Sequence, residues 1–120
     1  MREQLLLSVL SDLNSTSTDI SASAVISTDG LPIATLLPNH LNADRVGAMS
    51  ATLLALGNRA VQELASGELD QVMVKGKSGY ILLSQAGSNA VLALLAKEGG
   101  KLGLILLDAK RAAKHIADIV

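Results

Sequence analysis

The sequence contains no cysteine, tryptophan or phenylalanine, and Tyr80 is its single aromatic residue. Without cysteine the chain forms no disulfide and has no thiol chemistry, which suits a reducing compartment. The net charge is −1 with no basic patch, and there is no aromatic stacking platform, so we expect no nucleic-acid binding. The core must be built from Leu, Ile, Val and Ala, whose close packing favours helices lying tightly on a sheet.

Long hydrophobic runs are also missing. The N-terminal stretch MREQLLLSVLSDLN lacks the apolar segment and the cleavage site of a signal peptide. No apolar run approaches the ~18 residues that a membrane span needs. We therefore expect a cytoplasmic protein without direct membrane insertion, and the length suits one domain over residues 1–120.

Hydrophobic periodicity predicts three helices and five strands in the order α-β-β-α-β-β-β-α. The predicted helices cover residues 2–14, 42–66 and 100–119, and the predicted strands cover residues 20–27, 31–37, 69–75, 79–85 and 90–97. Asp29-Gly30 between two apolar runs predicts a type I′ hairpin turn. Asn42 is the expected N-cap of the second helix, and Gly67 its expected stop.

The predicted fold is an α/β protein of the α+β sandwich type, with a five-stranded antiparallel sheet. Pro32 cannot donate to a ladder, which favours an edge position for the second strand. The third strand alternates and carries Lys75, so we place it at the opposite edge, and the apolar fifth strand at the centre. The expected order is 2-1-5-4-3, with the second helix on one face and the first and third helices on the other.

The second helix has more apolar surface than a single sheet contact requires. We expect one stripe to face the sheet, comprising Val46, Met49, Leu53, Leu56, Ala60 and Leu64. The surplus has two interpretations: exposed alanine, which is common in helices, or a second helix packed on small residues in a two-fold dimer. The dimer prediction names Gly47, Ala51, Leu54, Asn58 and Val61, together with Gln71 and Met73 of the third strand, whose edge needs protection.

No residue pattern indicates catalysis or a bound cofactor. Asp29 lies in a turn without a nearby His or Lys, and neither His40 nor His115 has metal-ligand spacing to another residue. The stretch KGKSG does not satisfy the phosphate-loop pattern and sits between two strands. The stretch EGGKLG before the last helix either holds an anion on its amide groups or provides close backbone packing.

The polar strip of the second helix is narrow and provides candidates for partner binding, namely Arg45, Thr52, Arg59 and Glu63. The two arginines are either ordinary solvated residues or groups that contact an acidic partner or a nucleotide phosphate.

The order and spacing of these elements resemble the Roadblock/LC7 family, including MglB-type regulators. The resemblance rests on AVISTDGLPIA, on the long helix AMSATLLALGNRAVQELASGEL, on the three-strand meander after it and on KLGLILLDAKRAAKHI. It implies a small dimer formed through the second helix and the third strand. It further implies a non-catalytic partner of Ras-like small GTPases that reshapes the switch regions without inserting an arginine, or a light chain of a larger complex.

Two hypotheses about function follow. The chain is a homodimeric regulator that binds a Ras-like small GTPase through a platform on the second helix, without a cofactor of its own. Alternatively, it is a structural scaffold subunit with no effect on nucleotide turnover. A ligand sensor or an enzyme with an unrecognised site is the least favoured interpretation.

Overall fold

The computed structural model describes residues 1–65 and 67–120. The elements follow the predicted order, and their bounds are α1 (Arg2–Thr16), β1 (Ile20–Ser27), β2 (Pro32–Leu36), α2 (Ala43–Glu63), β3 (Gln71–Gly76), β4 (Gly79–Ala86), β5 (Ala90–Lys97) and α3 (Leu102–Ile119).

The strands form one antiparallel sheet in the order β2-β1-β5-β4-β3, which confirms the predicted topology. β5 lies at the centre, with seven of its eight residues at least half-buried. β2 and β3 are the edges, and Pro32 opens β2 where its missing N–H costs little. A register shift in β1 between Val25 and Ile26 leaves Ile33 without a paired residue.

The hairpin between β1 and β2 differs from the predicted two-residue turn. Ser27 donates its N–H to the Leu31 carbonyl at 2.9 Å, so Thr28, Asp29 and Gly30 form a three-residue loop. Within the described residues Ala65 is the single non-glycine residue with positive φ, whereas a type I′ turn would require positive φ at Asp29. Gly30, at φ +92°, provides the one left-handed residue that this longer loop needs.

The ends of α2 are fixed by local chemistry. The Asn42 side chain accepts a hydrogen bond from the Arg45 N–H at 3.1 Å, which confirms the predicted N-cap. At the other end Ala65 adopts φ +53°, a left-handed conformation that stops the helix before Gly67. The prediction that the helix continues to about Ser66 falls on a residue outside the described part of the chain.

Helices cover both faces of the sheet, as predicted. The larger core lies under α1 and α3, where Leu6, Leu10, Ile105 and Ile116 are fully buried. The smaller core lies under α2 and includes Leu54 with Ala24, Ile26, Leu83, Val91 and Ala93. Small residues on β1 and β5 let α2 lie close to the sheet.

The predicted rotation of α2 about its axis is wrong. Of the residues expected against the sheet, Leu53 does pack half-buried on the smaller core. Met49, Leu56 and Leu64 are instead 59%, 62% and 76% exposed. Gly47, Ser50 and Leu54 are buried instead. The contact requires small residues because the backbone of α2 lies against the backbone of the β1–β2 loop. A Cβ on Gly47 would overlap the carbonyl oxygen of Gly30. A Cβ on Gly57 would lie 2.8 Å from Cγ2 of Val72. A stripe of leucines would hold the helix too far from the sheet.

Candidate functional site

The residues predicted for self-association do not form an outward face. Gly47 and Leu54 lie beneath α2 within the protomer, and Ala51, Asn58 and Val61 are half-buried along its margin with the sheet. On β3, Gln71 is half-buried with its Nε2 3.5 Å from Oγ of Ser84, while Met73 is 47% exposed. Gly47 and Leu54 therefore offer little surface to a second chain, and the assignment of all seven residues to a dimer contact stays a prediction.

One side of α2 and the adjoining sheet carry exposed apolar side chains, which we call the apolar flank. On α2 helical spacing aligns the exposed Met49, Leu56 and Ala60 with Leu53, which is half-buried against the smaller core. On the sheet Val74 of β3 pairs with Ile81 of β4, so both side chains lie on the face that α2 covers only in part. Val74 and Ile81 are each 38% exposed. Exposed apolar residues of this size on neighbouring elements are typical of an interaction surface.

A cavity of about 180 Å³ lies between the first half of α2 and the sheet, within the apolar flank. Its lining is almost entirely apolar and includes Val46, Met49, Leu41, Ile81 and Leu95. The cavity shows that the sheet surface beside α2 has room for further apolar side chains.

The free edge of β3 adjoins the same flank. Within residues 1–65 and 67–120, β3 pairs with no strand other than β4, so its other side is a free edge of the sheet. Its last residues before the turn, Val74 and Lys75, are exposed, and Lys75 lies 5.8 Å from the ring centroid of Tyr80. An exposed edge with apolar residues on it is a template for pairing with another strand.

The four polar residues predicted for partner binding are all exposed, and we call them the outer ridge of α2: Arg45, Thr52, Arg59 and Glu63. Arg59 and Glu63 pair at 2.9 Å across one helical turn. Thr52 donates its hydroxyl to the Ala48 carbonyl at 2.9 Å. The outer ridge faces away from the sheet, with the apolar flank along one side.

The sites considered for chemistry show no catalytic arrangement in the described residues. Asp29, His40 and His115 are exposed, and His115 borders a groove between α1 and α3 with Asp12, Asp108 and Arg111. The amide of Lys101 at the start of α3 is 3.4 Å from a carboxylate oxygen of Asp19, and the Asp19 carbonyl accepts the Lys97 N–H at 2.7 Å. This internal carboxylate favours the packing interpretation of EGGKLG over anion binding.

No cluster of three or more His, Asp or Glu residues suited to a metal ion occurs over residues 1–65 and 67–120. None of the helices in these same ranges combines the length and the hydropathy that crossing a membrane would require.

Sequence reasoning missed the apolar flank because it assigned the large residues of α2 to the sheet. A signal was present: Gly47, Ser50, Leu54, Gly57 and Val61 follow one another at helical spacing, and glycine twice on one stripe indicates close approach to a neighbouring backbone.

Comparisons with known proteins agree with this architecture. Residues 6–96 match the family model of the Roadblock/LC7 domain. The protein MJ1340 of Methanocaldococcus jannaschii is 39% identical over 108 residues, covering 90% of this chain and 93% of that protein. The gliding protein MglB from Thermus thermophilus is similar in structure with a TM-score of 0.89 at 20% identity, covering 98% of this chain and 90% of that chain. A Roadblock/LC7 domain from Streptomyces avermitilis has a TM-score of 0.85 at 25% identity, covering 93% of this chain and 94% of that chain.

Proposed function

The chain belongs to the Roadblock/LC7 family, and from this premise we propose that it is a non-catalytic, homodimeric regulator of a Ras-like small GTPase. We treat residues 1–120 as one domain of this kind. The single observation that supports the proposal most is the apolar flank, which leaves large side chains of α2 in water beside an unpaired sheet edge.

A second copy of the chain is the occupant that fits the apolar flank. Antiparallel pairing of β3 with β3 of the copy would satisfy both free edges at once. It would also place the two α2 helices side by side on the same face of a joined sheet. Met49, Leu53 and Leu56 of each protomer would then cover the apolar sheet surface at Ile81 and Leu95, including the cavity of about 180 Å³.

The outer ridge remains accessible in such a dimer. Two ridges, related by the two-fold axis, would form one platform that carries charges of both signs, from Arg45, Arg59 and Glu63. Such a surface suits a folded partner with mixed charge, which agrees with the predicted use of Arg45, Thr52, Arg59 and Glu63. That this partner is a Ras-like GTPase rests on the family and on the sequence resemblance to MglB-type regulators.

A direct test uses Ras-like small GTPases encoded in the same genome. Each is loaded with GDP or with a non-hydrolysable GTP analogue, and binding to the chain is measured by calorimetry. GTP hydrolysis and nucleotide exchange are then followed with and without the chain. We expect binding that depends on the nucleotide and a changed rate of hydrolysis or exchange. Absence of binding in both nucleotide states contradicts the proposal, whereas binding at unchanged rates favours the scaffold alternative.

A further inference from the structure

A bowl-shaped cavity of about 540 Å³ lies at the C-terminal end of α2, on the side away from the apolar flank. We call it the polar bowl. Its lining combines the apolar side chains of Val61 and Leu69 with five polar ones, those of Asn58, Gln62, Glu68, Gln85 and Ser88. Asn58 follows Leu56 by two residues, which is about 200° around a helix. A dimer formed through the apolar flank therefore leaves the polar bowl open.

Gln85 in this lining has an unsatisfied acceptor. Its Nε2 donates to the Gly87 carbonyl at 3.1 Å, and a carbonyl can only accept, which fixes the nitrogen on that side. The remaining oxygen, Oε1, is buried and has no hydrogen-bond partner in the described part of the chain. Buried carbonyl oxygens normally accept a hydrogen bond, so this oxygen is available to a donor. The terminal torsion of glutamine is soft, so a rotation that gives up the bond to Gly87 would bring the oxygen toward a donor in the bowl.

The electrostatic character of the polar bowl favours a cation. Glu68 supplies a carboxylate, and none of the described residues that line the cavity is a Lys, Arg or His. The C-terminal end of a helix carries a partial negative charge, and the last turn of α2 contains no basic residue to offset it. The amide and hydroxyl groups of Asn58, Gln62 and Ser88 add further acceptors around the rim.

We infer that the polar bowl binds the guanidinium group of an arginine side chain, presented by the protein that this chain regulates. A guanidinium offers five N–H donors in one plane, and it can therefore reach several acceptors of the bowl together. The ammonium group of a lysine has three donors on a single nitrogen, so it reaches widely spaced acceptors less well. The source of the arginine rests on the proposed function, but the chemistry of the bowl does not.

The test is an NMR titration of the full chain, labelled with ¹⁵N, with N-acetyl-arginine amide. N-acetyl-citrulline amide is the matched control, because it keeps the shape and loses the positive charge. We expect saturable shifts of the backbone or side-chain amides of Asn58, Gln62, Gln85 and Ser88 with the arginine compound only. Equal shifts with both compounds, or no saturable shift with arginine, would overturn the inference.

Two variants locate the binding within the polar bowl. Glu68→Gln changes an exposed residue, should leave the spectrum of the free protein intact, and should weaken arginine binding about tenfold. Glu98→Gln removes an exposed carboxylate elsewhere and should leave binding unchanged. Gln85→Met, which keeps side-chain length, should weaken arginine binding. Its remaining amide signals should stay dispersed as in a folded protein. Undiminished binding in both Glu68→Gln and Gln85→Met contradicts the assignment.

The outcome is separable from that of the proposed function. If a GTPase binds and arginine amide does not, the inference about the polar bowl fails while the regulator proposal stands. If arginine amide binds through Glu68 and no GTPase binds, the bowl is supported and the regulator proposal fails.

Discussion

Two glycines, Gly30 and Gly47, determine how closely α2 lies on the sheet at its N-terminal end. The carbonyl oxygen of Gly30 occupies the space where a Cβ of residue 47 would lie, and Ala51 packs at the same point. Backbone in contact with backbone leaves no flexible group that could move aside, so the site tolerates no added methyl group.

Gly47→Ala should therefore destabilise the protein by about 3 kcal/mol, the upper part of the usual range for overpacking. The measurement is urea unfolding followed by circular dichroism. Gly103→Ala is the control, because nothing lies within 4 Å of a Cβ at that helical position. Because Gly103 lies in the first turn of α3, this substitution should raise stability by less than about 1 kcal/mol, the figure for a helix interior. Equal effects of the two substitutions would show that the close contact with Gly30 is absent.

The arginines of the outer ridge allow a prediction about mechanism. The proposed regulator acts without an inserted arginine, so Arg45→Ala and Arg59→Ala should each reduce any stimulation of GTP hydrolysis less than about tenfold. An arginine finger would instead cost about 10³-fold or more. Single-turnover hydrolysis with saturating regulator distinguishes these cases, and Lys114→Ala, an exposed position on α3, serves as the control.

At the scale of elements, the two ends of α2 are set by its cap and its local backbone conformation more than by its composition. Its sequence is rich in alanine and leucine and would continue as helix, yet Ala65 in a left-handed conformation ends it. At the other end the Asn42 side chain satisfies one of the N–H groups that a helix start leaves unpaired.

Asn42→Ala should destabilise the protein by about 1 kcal/mol, because the Arg45 N–H loses its acceptor. Asn42→Ser, which retains a capping oxygen, should have a much smaller effect. Thermal and urea unfolding of both variants provide the comparison. If alanine and serine behave alike, the cap contributes nothing to the stability of α2.

At the scale of the whole molecule, the apolar flank and the free edge of β3 lie on one side, while the larger core lies on the other face of the sheet. Three consecutive residues of α2 lie in three different environments. Leu54 is 4% exposed in the smaller core, Ala55 is exposed toward the side away from the flank, and Leu56 is 62% exposed on the flank.

These three positions give matched variants for the dimer. We expect the wild-type chain to have twice the mass of one protomer by light scattering. Leu56→Asp should weaken the dimer by roughly 3–6 kcal/mol, because the substitution occurs once in each protomer. The dissociation constant should rise about 100-fold or more, and the monomer should stay folded. Ala55→Asp should remain dimeric, and Leu54→Asp should unfold the protomer. An unchanged mass for Leu56→Asp would contradict dimerisation through the apolar flank.

Sequence reasoning recovered the order of elements and the sheet topology because each depends on local signals. Pro32 marked an edge strand, Asn42 a helix start, and the apolar run of β5 the centre of the sheet. The exposure of Arg45, Thr52, Arg59 and Glu63 followed from polarity alone. The rotation of α2 was predicted wrongly because hydrophobicity ranks Leu56 above Gly47, whereas the sheet contact depends on how closely two backbones can approach.

By itself the sequence determined which residue types build the core, the order of helices and strands, and which strands stand at the edges, because side-chain size, capping groups and proline act on their immediate neighbours. Only the tertiary structure decided which stripe of α2 faces the sheet, which leucines are left for a second chain, and that Gln85 retains a buried oxygen without a donor. These features depend on distances between atoms of segments far apart in the chain, and no local pattern encodes such distances.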